Sequence, residues 1–218
     1  MDDLAIRFGI VGGMDEVGRG CLAGPVCVGL VVAGNLEPPN GLTDSKRLTE
    51  KQREALYEPL LEWAEVATVG WAQASEVDSA GIMGALRVAG QRAVAAASRS
   101  MGGRALGAIL LDGSHDWLSE TGTLWDQELA IDPASRTPWA LPPVVTRVKA
   151  DLTVPAVSAA SVIAKVERDR HMRALTDPGY DWASNKGYGS AAHRAAIRRL
   201  GPSAEHRKTW NLLGDQRD

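Results

Sequence analysis

A chain of 218 residues with 44% hydrophobic and 23% charged residues is long enough for one principal globular core, and this composition excludes an extensively disordered protein. The longest apolar stretch, near residues 26–32, is far shorter than the ~18 residues of a membrane span, and no signal pattern opens the chain. We expect a cytoplasmic monomer without membrane contact. Cys21 and Cys27 lack a zinc-ligand spacing and are interpreted as small core residues.

The formal net charge of −3 argues against nonspecific nucleic-acid binding through bulk charge, but the charge is unevenly distributed. Residues 1–143 carry 11 Lys/Arg against 19 Asp/Glu, whereas residues 144–218 carry 13 against 8. The C-terminal third is consequently the part of the chain that is expected to face a polyanion.

The first third of the chain predicts two strands and a helix. Apolar runs at 5–11 and 25–32 are typical of strands, and the turn at residues 15–20 between them suits a hairpin-like pair. Thr49 is a good N-cap for the helix that follows, and Pro59 is a candidate site for a kink or an early end of that helix.

The middle of the chain adds a strand at 66–72, an Ala-rich helix at 80–98 and a short apolar run at 106–111. That run ends in Asp112, which is the pattern of a buried parallel strand that delivers a carboxylate at its C-terminal edge. Ligand sites favour this edge in open α/β sheets. Residues 114–142 lack clear periodicity and are interpreted as a long excursion with at most one short helix.

The last third begins with a strand at 144–148, and Asp151 lies at the junction between this strand and a helix over residues 158–169. Turn signals near residue 177 precede a basic amphipathic helix at 193–200. The order of elements predicts an α/β fold with a mixed central sheet and a C-terminal helical region.

We place one domain boundary in this fold. Residues 1–175 are interpreted as a catalytic domain, and residues 176–218 as a helical appendage that binds substrate.

Carboxylates recur at three strand ends, as the pair Asp15-Glu16, then Asp112, then Asp151. Mg²⁺ and Mn²⁺ prefer oxygen ligands, and sites that act on phosphodiesters recruit several carboxylates. If the four acids converge, two ions can assist in-line hydrolysis of a phosphodiester. For any single acid, capping of a helix or solvation of a turn explains the pattern equally well. The recurrence at three strand ends favours a metal site.

Glycine-flanked residues form the candidate substrate contacts. Gly18-Arg19-Gly20 directly follows the paired acids and frees the backbone for close approach, although such a turn also serves hairpin geometry alone. Tyr188 lies between glycines, where its ring and hydroxyl suit a sugar and a 2′-hydroxyl. The alternative for Tyr188 is a lid over the core.

Cationic residues supply candidate phosphate contacts, each with a structural alternative. Lys165 and Arg168 share one helical face, but Lys165 with Asp169 is also an ordinary i, i+4 ion pair. Ser45-Lys46 offers a hydroxyl and an ammonium group, although the same segment before a helix is compatible with simple capping. The histidines show no metal-ligand spacing and are interpreted as structural: His115, His171, His193 and His206.

Taken together, these motifs resemble those of the bacterial type 2 ribonucleases H, the ribonuclease HII family. They occur in the order of that family over residues 8–212. The matching segments are Asp15–Gly20, Thr43–Lys46, Leu111–Gly113, Lys149–Asp151, Ser158–Ser161 with Ala164–Val166, and Lys186–Gly189. Two features depart from the family pattern: Asn185, where many relatives have His, and the long excursion at 114–142.

The resemblance implies a ribonuclease H-like fold and an endonuclease for RNA strands in RNA-DNA hybrids and for ribonucleotides embedded in duplex DNA. It implies a role in ribonucleotide excision repair, with 5′-phosphate and 3′-hydroxyl products and a requirement for Mn²⁺ or Mg²⁺. By resemblance, the metal-binding catalytic acids are Asp15, Glu16, Asp112 and Asp151. The Gly18-Arg19-Gly20 backbone would sense the 2′-hydroxyl, and Tyr188 would help to read the junction from ribose to deoxyribose.

Two rival functions remain at this point. Gly9, Gly12 and Gly13 near the first strand suggest a dinucleotide-binding oxidoreductase, but their spacing fails the Gly-x-Gly-x-x-Gly fingerprint. A noncatalytic nucleic-acid-binding module would use the basic C-terminal third. Such a module would have no reason to bring four acids near phosphate.

Overall fold

A five-stranded mixed sheet forms the centre of the fold, with the strand order β3-β2-β1-β4-β5. The computed structural model describes residues 1–119 and 141–214. The strands are β1 (Val11–Val17), β2 (Val26–Ala33), β3 (Ala64–Ala72), β4 (Ala108–Asp112) and β5 (Val144–Arg147). Strands β1, β2 and β3 pair antiparallel, whereas β4 is parallel to both β1 and β5. The prediction of an α/β fold with a mixed sheet is confirmed.

Helices cover both faces of the sheet. They are α1 (Asp2–Phe8), α2 (Glu50–Trp63), α3 (Ala74–Ser100), α4 (Ala150–Thr153), α5 (Pro155–Ala174), α6 (Trp182–Asn185) and α7 (Ala191–Leu200), with a 3₁₀ turn at Ser45–Arg47. Alternate residues of each strand face opposite layers, so Leu30 packs with the α3 side and Val31 with the α5 side. Cys21 and Cys27 are buried with free thiols, which confirms their interpretation as core residues.

The predicted strand at 5–11 is wrong. Residues 2–8 are helical, Gly9 follows them with φ 78°, and β1 begins only at Val11. Leu4 and Phe8, four residues apart, pack on the same small cluster, which is the spacing of one helical face. A short apolar run does not by itself distinguish a strand from a buried helix. As a second correction, Asp15 and Glu16 lie inside β1 rather than in the turn, which begins after Val17.

The other elements agree closely with the predictions. Thr49 caps α2 in a reciprocal capping box with Gln52, and α2 continues through Pro59 to Trp63. Helix α3 begins at Ala74, earlier than predicted, and contains a non-helical residue at Gly81. Most of the predicted excursion, residues 120–140, lies outside the described residues. In the part of the chain that is described, no helix is long and apolar enough to cross a membrane.

The C-terminal segment packs directly on the loop that follows β1. Leu22 and Ala23 from that loop share one apolar cluster with Trp182 and Ile197. Backbone hydrogen bonds reinforce the contact, since the N–H groups of Leu22 and Ala23 both donate to the carbonyl of Gly187. The division of the chain at residues 175 and 176 stays a prediction.

Glycine in β1 lets α5 approach the sheet closely, and this contact sets the position of the helix. A Cβ added at Gly13 would lie 2.6 Å from the backbone of Ala156 and Val157, whereas one added at neighbouring Gly12 would meet only side chains of Leu30 and Leu106 at 3.4 Å. Residues 12 and 13 face opposite sides of the strand.

We expect Gly13→Ala to destabilise the fold by about 1–3 kcal/mol, because the helix backbone must move to admit the methyl group. Gly12→Ala, in the same strand, serves as the matched control and should change stability much less. Urea unfolding of both variants measures the difference. Equal free energies of unfolding for the two variants would contradict the role of Gly13 in seating α5.

Candidate active site

The four predicted acids lie at one edge of the sheet. Met14 in β1 is in register with Leu111 in the parallel strand β4, so Asp15 and Asp112 are the next residues along two neighbouring strands. Asp112 is in register with Arg147 at the end of β5, and Asp151 follows in the first turn of α4. The carboxyl ends of three adjacent parallel strands therefore deliver these side chains to a common edge.

Asp15 is the most deeply buried of the four acids, with 2% of its surface exposed. Its Oδ1 accepts a hydrogen bond from the Glu16 N–H at 2.8 Å, while its Oδ2 is buried without a hydrogen-bond partner. Burial raises the pKa of Asp15 to about 7, and the carboxylates of Glu16 and Asp112 add to the rise, against the Ser161 hydroxyl and the Lys46 ammonium. A partnerless buried carboxylate oxygen fits a bound cation.

Asp112 makes the capping contact that the sequence offered as one of two alternatives. Its Oδ1 accepts hydrogen bonds from the Ala150 N–H at 2.7 Å and the Asp151 N–H at 3.4 Å, so it caps the turn that carries Asp151. Burial raises the pKa of Asp151, and the negative charges of Asp112 and Asp44 raise it further. Capping therefore brings two of the acids together rather than competing with a functional role.

Glu16 lies at the boundary between the acids and the pocket. Burial raises its pKa and Asp112 adds to the rise, while an ion pair with Arg19 at 3.4 Å opposes it. Among residues 1–119 and 141–214, no three Asp, Glu, His or Cys side chains are already gathered at metal-ligand spacing. Asp112 raises the pKa of Asp15, Glu16 and Asp151 although the acids form no closed cage, and such an open arrangement suits an ion that keeps water and substrate oxygens as ligands.

Lys46 and Ser45 border the acids from the 3₁₀ turn. Burial lowers the pKa of Lys46, but the carboxylates of Asp15, Asp44, Asp151 and Glu16 outweigh burial and raise it overall. Ser45 is buried, and its Oγ accepts a hydrogen bond from Ser161 Oγ at 2.9 Å. The capping alternative is also observed, because Asp44 accepts a hydrogen bond from the Lys46 N–H. Lys46 is thus a stably charged group beside the acids.

A pocket of about 310 Å³ opens next to these residues. It is lined by Glu16, Val17, Gly18, Arg19, Gly20, Ser45, Lys46, Ser161, Lys165 and Tyr188. Eight of these ten were predicted as site residues, and Ser161 is a polar member that the sequence reasoning did not single out. Of the four acids, only Glu16 lines the pocket. Asp15, Asp112 and Asp151 lie behind it, since Asp112 raises the pKa of Glu16, and Asp15 and Asp151 raise that of Lys46.

Tyr188 presents its ring to the pocket, with 41% of the residue exposed. Lys165 Nζ lies 5.1 Å from the centre of this ring and also forms the predicted ion pair with Asp169 at 2.7 Å. Burial raises the pKa of Tyr188 to about 12, so its hydroxyl keeps its proton at neutral pH and can donate a hydrogen bond. An exposed ring whose hydroxyl keeps its proton is better suited to contact a sugar than to cover the core as a lid.

Arg168 does not occupy the place that the sequence reasoning assigned to it. The residue is 0% exposed, and its guanidinium donates to the carbonyls of Pro25, Lys186 and Ala23 at 2.8, 2.9 and 3.1 Å. A direct phosphate contact by Arg168 is therefore corrected to a structural role beneath the loop after β1. Helical spacing placed Arg168 on the face of Lys165 but carried no information about the loop that covers it.

The two glycines around Arg19 differ in what the fold demands of them. Gly18 has φ +85°, and a Cβ there would overlap the Arg168 side chain, so packing and backbone geometry both require glycine. The φ of Gly20 lies outside the left-handed region, and a Cβ at this residue would meet nothing within 4 Å. The hairpin alternative therefore explains glycine at residue 18, whereas neither packing nor backbone geometry in the described residues requires glycine at residue 20.

Sequence reasoning missed a second buried arginine under this loop, Arg207, because a lone Arg near the C-terminus has no signal that distinguishes it from a surface charge. The histidine prediction is confirmed for His193 and His206, which are buried with their Nε2 atoms 3.1 Å apart. His193 Nδ1 lies 2.8 Å from the carbonyl of Tyr188 and so supports the loop that carries this ring.

The family model for ribonuclease HII matches residues 12–212 of the chain. The ribonuclease HII of Streptomyces avermitilis is 40% identical over 206 residues, which cover 94% of this chain and 78% of the relative. The ribonuclease HII solved in a PCNA complex from Archaeoglobus fulgidus is 25% identical with a TM-score of 0.66, over 96% of this chain and 98% of that one. Bst-RNase HIII, solved in complex with Mn²⁺, shares the fold at 17% identity and a TM-score of 0.63, over 94% and 68%. The predicted ribonuclease H-like fold is confirmed.

Proposed function

Because the chain belongs to the ribonuclease HII family, we propose that it incises duplex DNA on the 5′ side of embedded ribonucleotides as well as cutting RNA strands in RNA-DNA hybrids. Family membership makes the chain a ribonuclease H, a nuclease that acts on such hybrids. Incision at single ribonucleotides is the finer step of the proposal. Such a substrate is consistent with a role in ribonucleotide excision repair. We also propose that the protein acts in the cytoplasm as a monomer.

The observation that carries the proposal is the partnerless Oδ2 of buried Asp15, whose neighbour in the chain, Glu16, lines a pocket together with Gly20 and Tyr188. An unpaired carboxylate oxygen is costly unless a cation occupies the site. The backbone of Gly20, which carries no side chain, and the exposed ring of Tyr188 lie in the same pocket and suit contact with a ribose. The proposed hydrolytic groups and the proposed ribose contacts are thus neighbours in the fold.

Mn²⁺ or Mg²⁺ would be held by Asp15, Glu16, Asp112 and Asp151, whose hard oxygen donors suit these ions. When bound, two such ions supply activation of water and stabilisation of the leaving oxygen in an in-line displacement. Support in this chain comes from the raised pKa of Asp15, Glu16 and Asp151, since a nearby cation would favour their charged forms.

The protein's own residues bind and orient the substrate. The Lys46 ammonium and the Ser45 hydroxyl bind the scissile phosphate, while the backbone of Gly18, Arg19 and Gly20 contacts the 2′-hydroxyl. The Tyr188 ring stacks on the adjacent sugar, and Lys165 contributes positive charge beside it. Attack of water on phosphorus breaks the bond to O3′ and leaves a 3′-hydroxyl and a 5′-phosphate.

The variant Gly20→Ala tests recognition of the substrate separately from the stability of the fold. Because an added Cβ meets no protein atom, stability should change by no more than about 0.5 kcal/mol. The methyl group would occupy the space of the approaching ribose, so kcat/KM on a duplex with one ribonucleotide should fall about tenfold or more, as for a loss of 1.4 kcal/mol. Gly12→Ala is the matched control, since it adds the same methyl outside the pocket. Unchanged kcat/KM in Gly20→Ala would refute the close approach of substrate at this residue.

The deciding experiment compares cleavage of a DNA duplex with one ribonucleotide, an all-DNA duplex and a long RNA-DNA hybrid, each with Mn²⁺, Mg²⁺ or EDTA. Metal-dependent cutting 5′ of the ribonucleotide, with the all-DNA duplex intact, is the expected result. Cutting of the long hybrid alone would reject incision at single ribonucleotides. Tight binding without any cutting would instead indicate a noncatalytic binding module.

A further inference from the structure

Arg207 reaches from the C-terminal segment to the loop after β1, although it lies nearly the whole chain away in sequence. Its guanidinium is 0% exposed and donates from Nη2 to the Gly18 carbonyl at 2.7 Å and from Nη1 to the Arg19 carbonyl at 2.8 Å. Two longer bonds, at 3.2 and 3.3 Å, reach the Gly24 carbonyl. One side chain therefore gathers three carbonyls of the same loop.

Two of these carbonyls belong to consecutive peptide groups, and this fixes where their N–H groups point. In a trans peptide the N–H is directed opposite to the C=O. With the Gly18 and Arg19 carbonyls turned inward to Arg207, the N–H groups of Arg19 and Gly20 point outward. Within residues 1–119 and 141–214, neither N–H donates a hydrogen bond to the protein. Both residues line the pocket.

The guanidinium is held in place from several sides. The Arg207 N–H donates to the Leu22 carbonyl at 2.9 Å, and the Gly24 N–H donates to the Glu205 carbonyl at 2.8 Å. The Trp210 ring lies 5.0 Å from the guanidinium carbon. In the described ranges, no carboxylate lies within ion-pair distance of Arg207, so backbone carbonyls alone satisfy a buried cation. Burying a cation without a paired carboxylate costs free energy. Its hydrogen bonds hold the loop in one orientation.

We propose that Arg207 is a positioning residue for substrate recognition, which holds the Gly18–Gly20 peptides so that the Arg19 and Gly20 N–H groups face a 2′-hydroxyl-bearing nucleotide. Charge-assisted bonds to the two carbonyls also polarise these peptides and strengthen the N–H groups as donors. The inference rests on the proposed reading of the 2′-hydroxyl by this loop.

The first test measures loop order without substrate. In Arg207→Met, which keeps the apolar stem and loses every donor, ¹⁵N relaxation should show the Arg19 and Gly20 amides falling from an order parameter of about 0.85 to below about 0.6. Arg194→Met is the matched control, because Arg194 also donates to backbone carbonyls of the C-terminal segment, those of Asn211 and Leu212, but not to the loop. Arg207→Lys, which keeps the charge but not the fork, should give an intermediate loss of order.

The second test measures the ratio of affinities for a duplex with one ribonucleotide and for the all-DNA duplex, with Ca²⁺ in place of the catalytic metal. A ratio does not change when a variant merely lowers the folded fraction. We expect the ratio to fall about tenfold in Arg207→Met, as for the loss of one or two hydrogen bonds, and to stay at the wild-type value in Arg194→Met.

The outcomes separate this inference from the proposed function. Rigid Arg19 and Gly20 amides in Arg207→Met would overturn the positioning role, whatever the enzyme cleaves. An equal fall of the ratio in Arg194→Met would also overturn it, because the effect would then belong to the C-terminal segment in general. A wild-type enzyme without preference for the ribonucleotide would reject the proposed reading of the 2′-hydroxyl, while the order parameters would still decide whether Arg207 holds the loop.

Discussion

Asp112→Asn is expected to fold and to bind an RNA-DNA hybrid, yet to lose about three orders of magnitude in cleavage rate. The asparagine keeps an Oδ1 that accepts from the Ala150 and Asp151 N–H groups, so the cap of α4 survives. The change removes one negative charge from the proposed metal site, where stabilisation of charge in the transition state is worth several kcal/mol and each 1.4 kcal/mol is tenfold in rate. Single-turnover cleavage with Mn²⁺, beside a binding assay, measures both effects.

The chain offers a matched control for this variant. Asp116 also caps a turn, through hydrogen bonds from the Leu118 and Ser119 N–H groups, but it lies outside the cluster of acids. Asp116→Asn should therefore cleave at the wild-type rate. If Asp112→Asn cleaved at a rate near that of Asp116→Asn, the carboxylate at the end of β4 would be a capping group only, and the metal site would be refuted.

Asp15→Asn is expected to stabilise the metal-free protein at pH 8 while abolishing cleavage. Burial raises the pKa of folded Asp15 to about 7 from an ordinary value of 3.8. Between these values the folded state retains a proton that the unfolded state has lost, so stability falls as pH rises from about 4 to above 7. At pH 8 the buried charge costs on the order of 4 kcal/mol, since one pKa unit corresponds to about 1.4 kcal/mol. Asparagine removes that charge.

The measurement is urea unfolding in EDTA at a series of pH values. The stability of the wild type should fall as the pH rises through this range. The stability of Asp15→Asn should fall less steeply, and part of the fall should remain because the pKa values of Glu16 and Asp151 are also raised. Mn²⁺ should stabilise the wild type more at pH 8 than at pH 6 and should stabilise the variant less at both.

Asp177→Asn provides a control of opposite sign. Although burial raises the pKa of Asp177, hydrogen bonds from the Tyr180, Gly179 and Trp182 N–H groups lower it overall, so its charge stabilises the fold at neutral pH. This variant should lose stability in metal-free protein at pH 8. Identical pH slopes for wild type and Asp15→Asn would show that Asp15 carries no buried charge of consequence.

The acids were predictable from sequence because strand ends and carboxylates are both local signals. Asp112 ends β4, Asp151 follows β5 in the first turn of α4, and Asp15 lies inside β1. The parallel pairing of these three strands brings the carboxylates together. The two alternatives that the sequence left for Asp112 are compatible in the structure. A carboxylate has two oxygens, so Asp112 can cap α4 with one of them and still present the other to a ligand.

The positions of Arg168 and Arg207 were not predictable, because periodicity shows which face of a helix a residue occupies but not what covers it. Both guanidiniums are buried by a loop whose glycines, Gly18 and Gly24, leave room for Arg168, and whose partners are more than 140 residues away in sequence. The charge asymmetry of the chain suggested a basic surface, yet these two cations face inward to backbone carbonyls.

The contact between Arg207 and the loop after β1 also orders events during synthesis and folding. The hydrogen bonds to Gly18 and Arg19 close sequence separations of 189 and 188 residues, and closures of this length are slow compared with local ones. A nascent chain can assemble the sheet and its acids from residues up to Asp151 before the segment with Arg207 has left the ribosome. Such a chain would bear the proposed catalytic acids while the loop after β1 is still untethered, so the proposed selectivity for ribonucleotides would be the last property that the protein acquires.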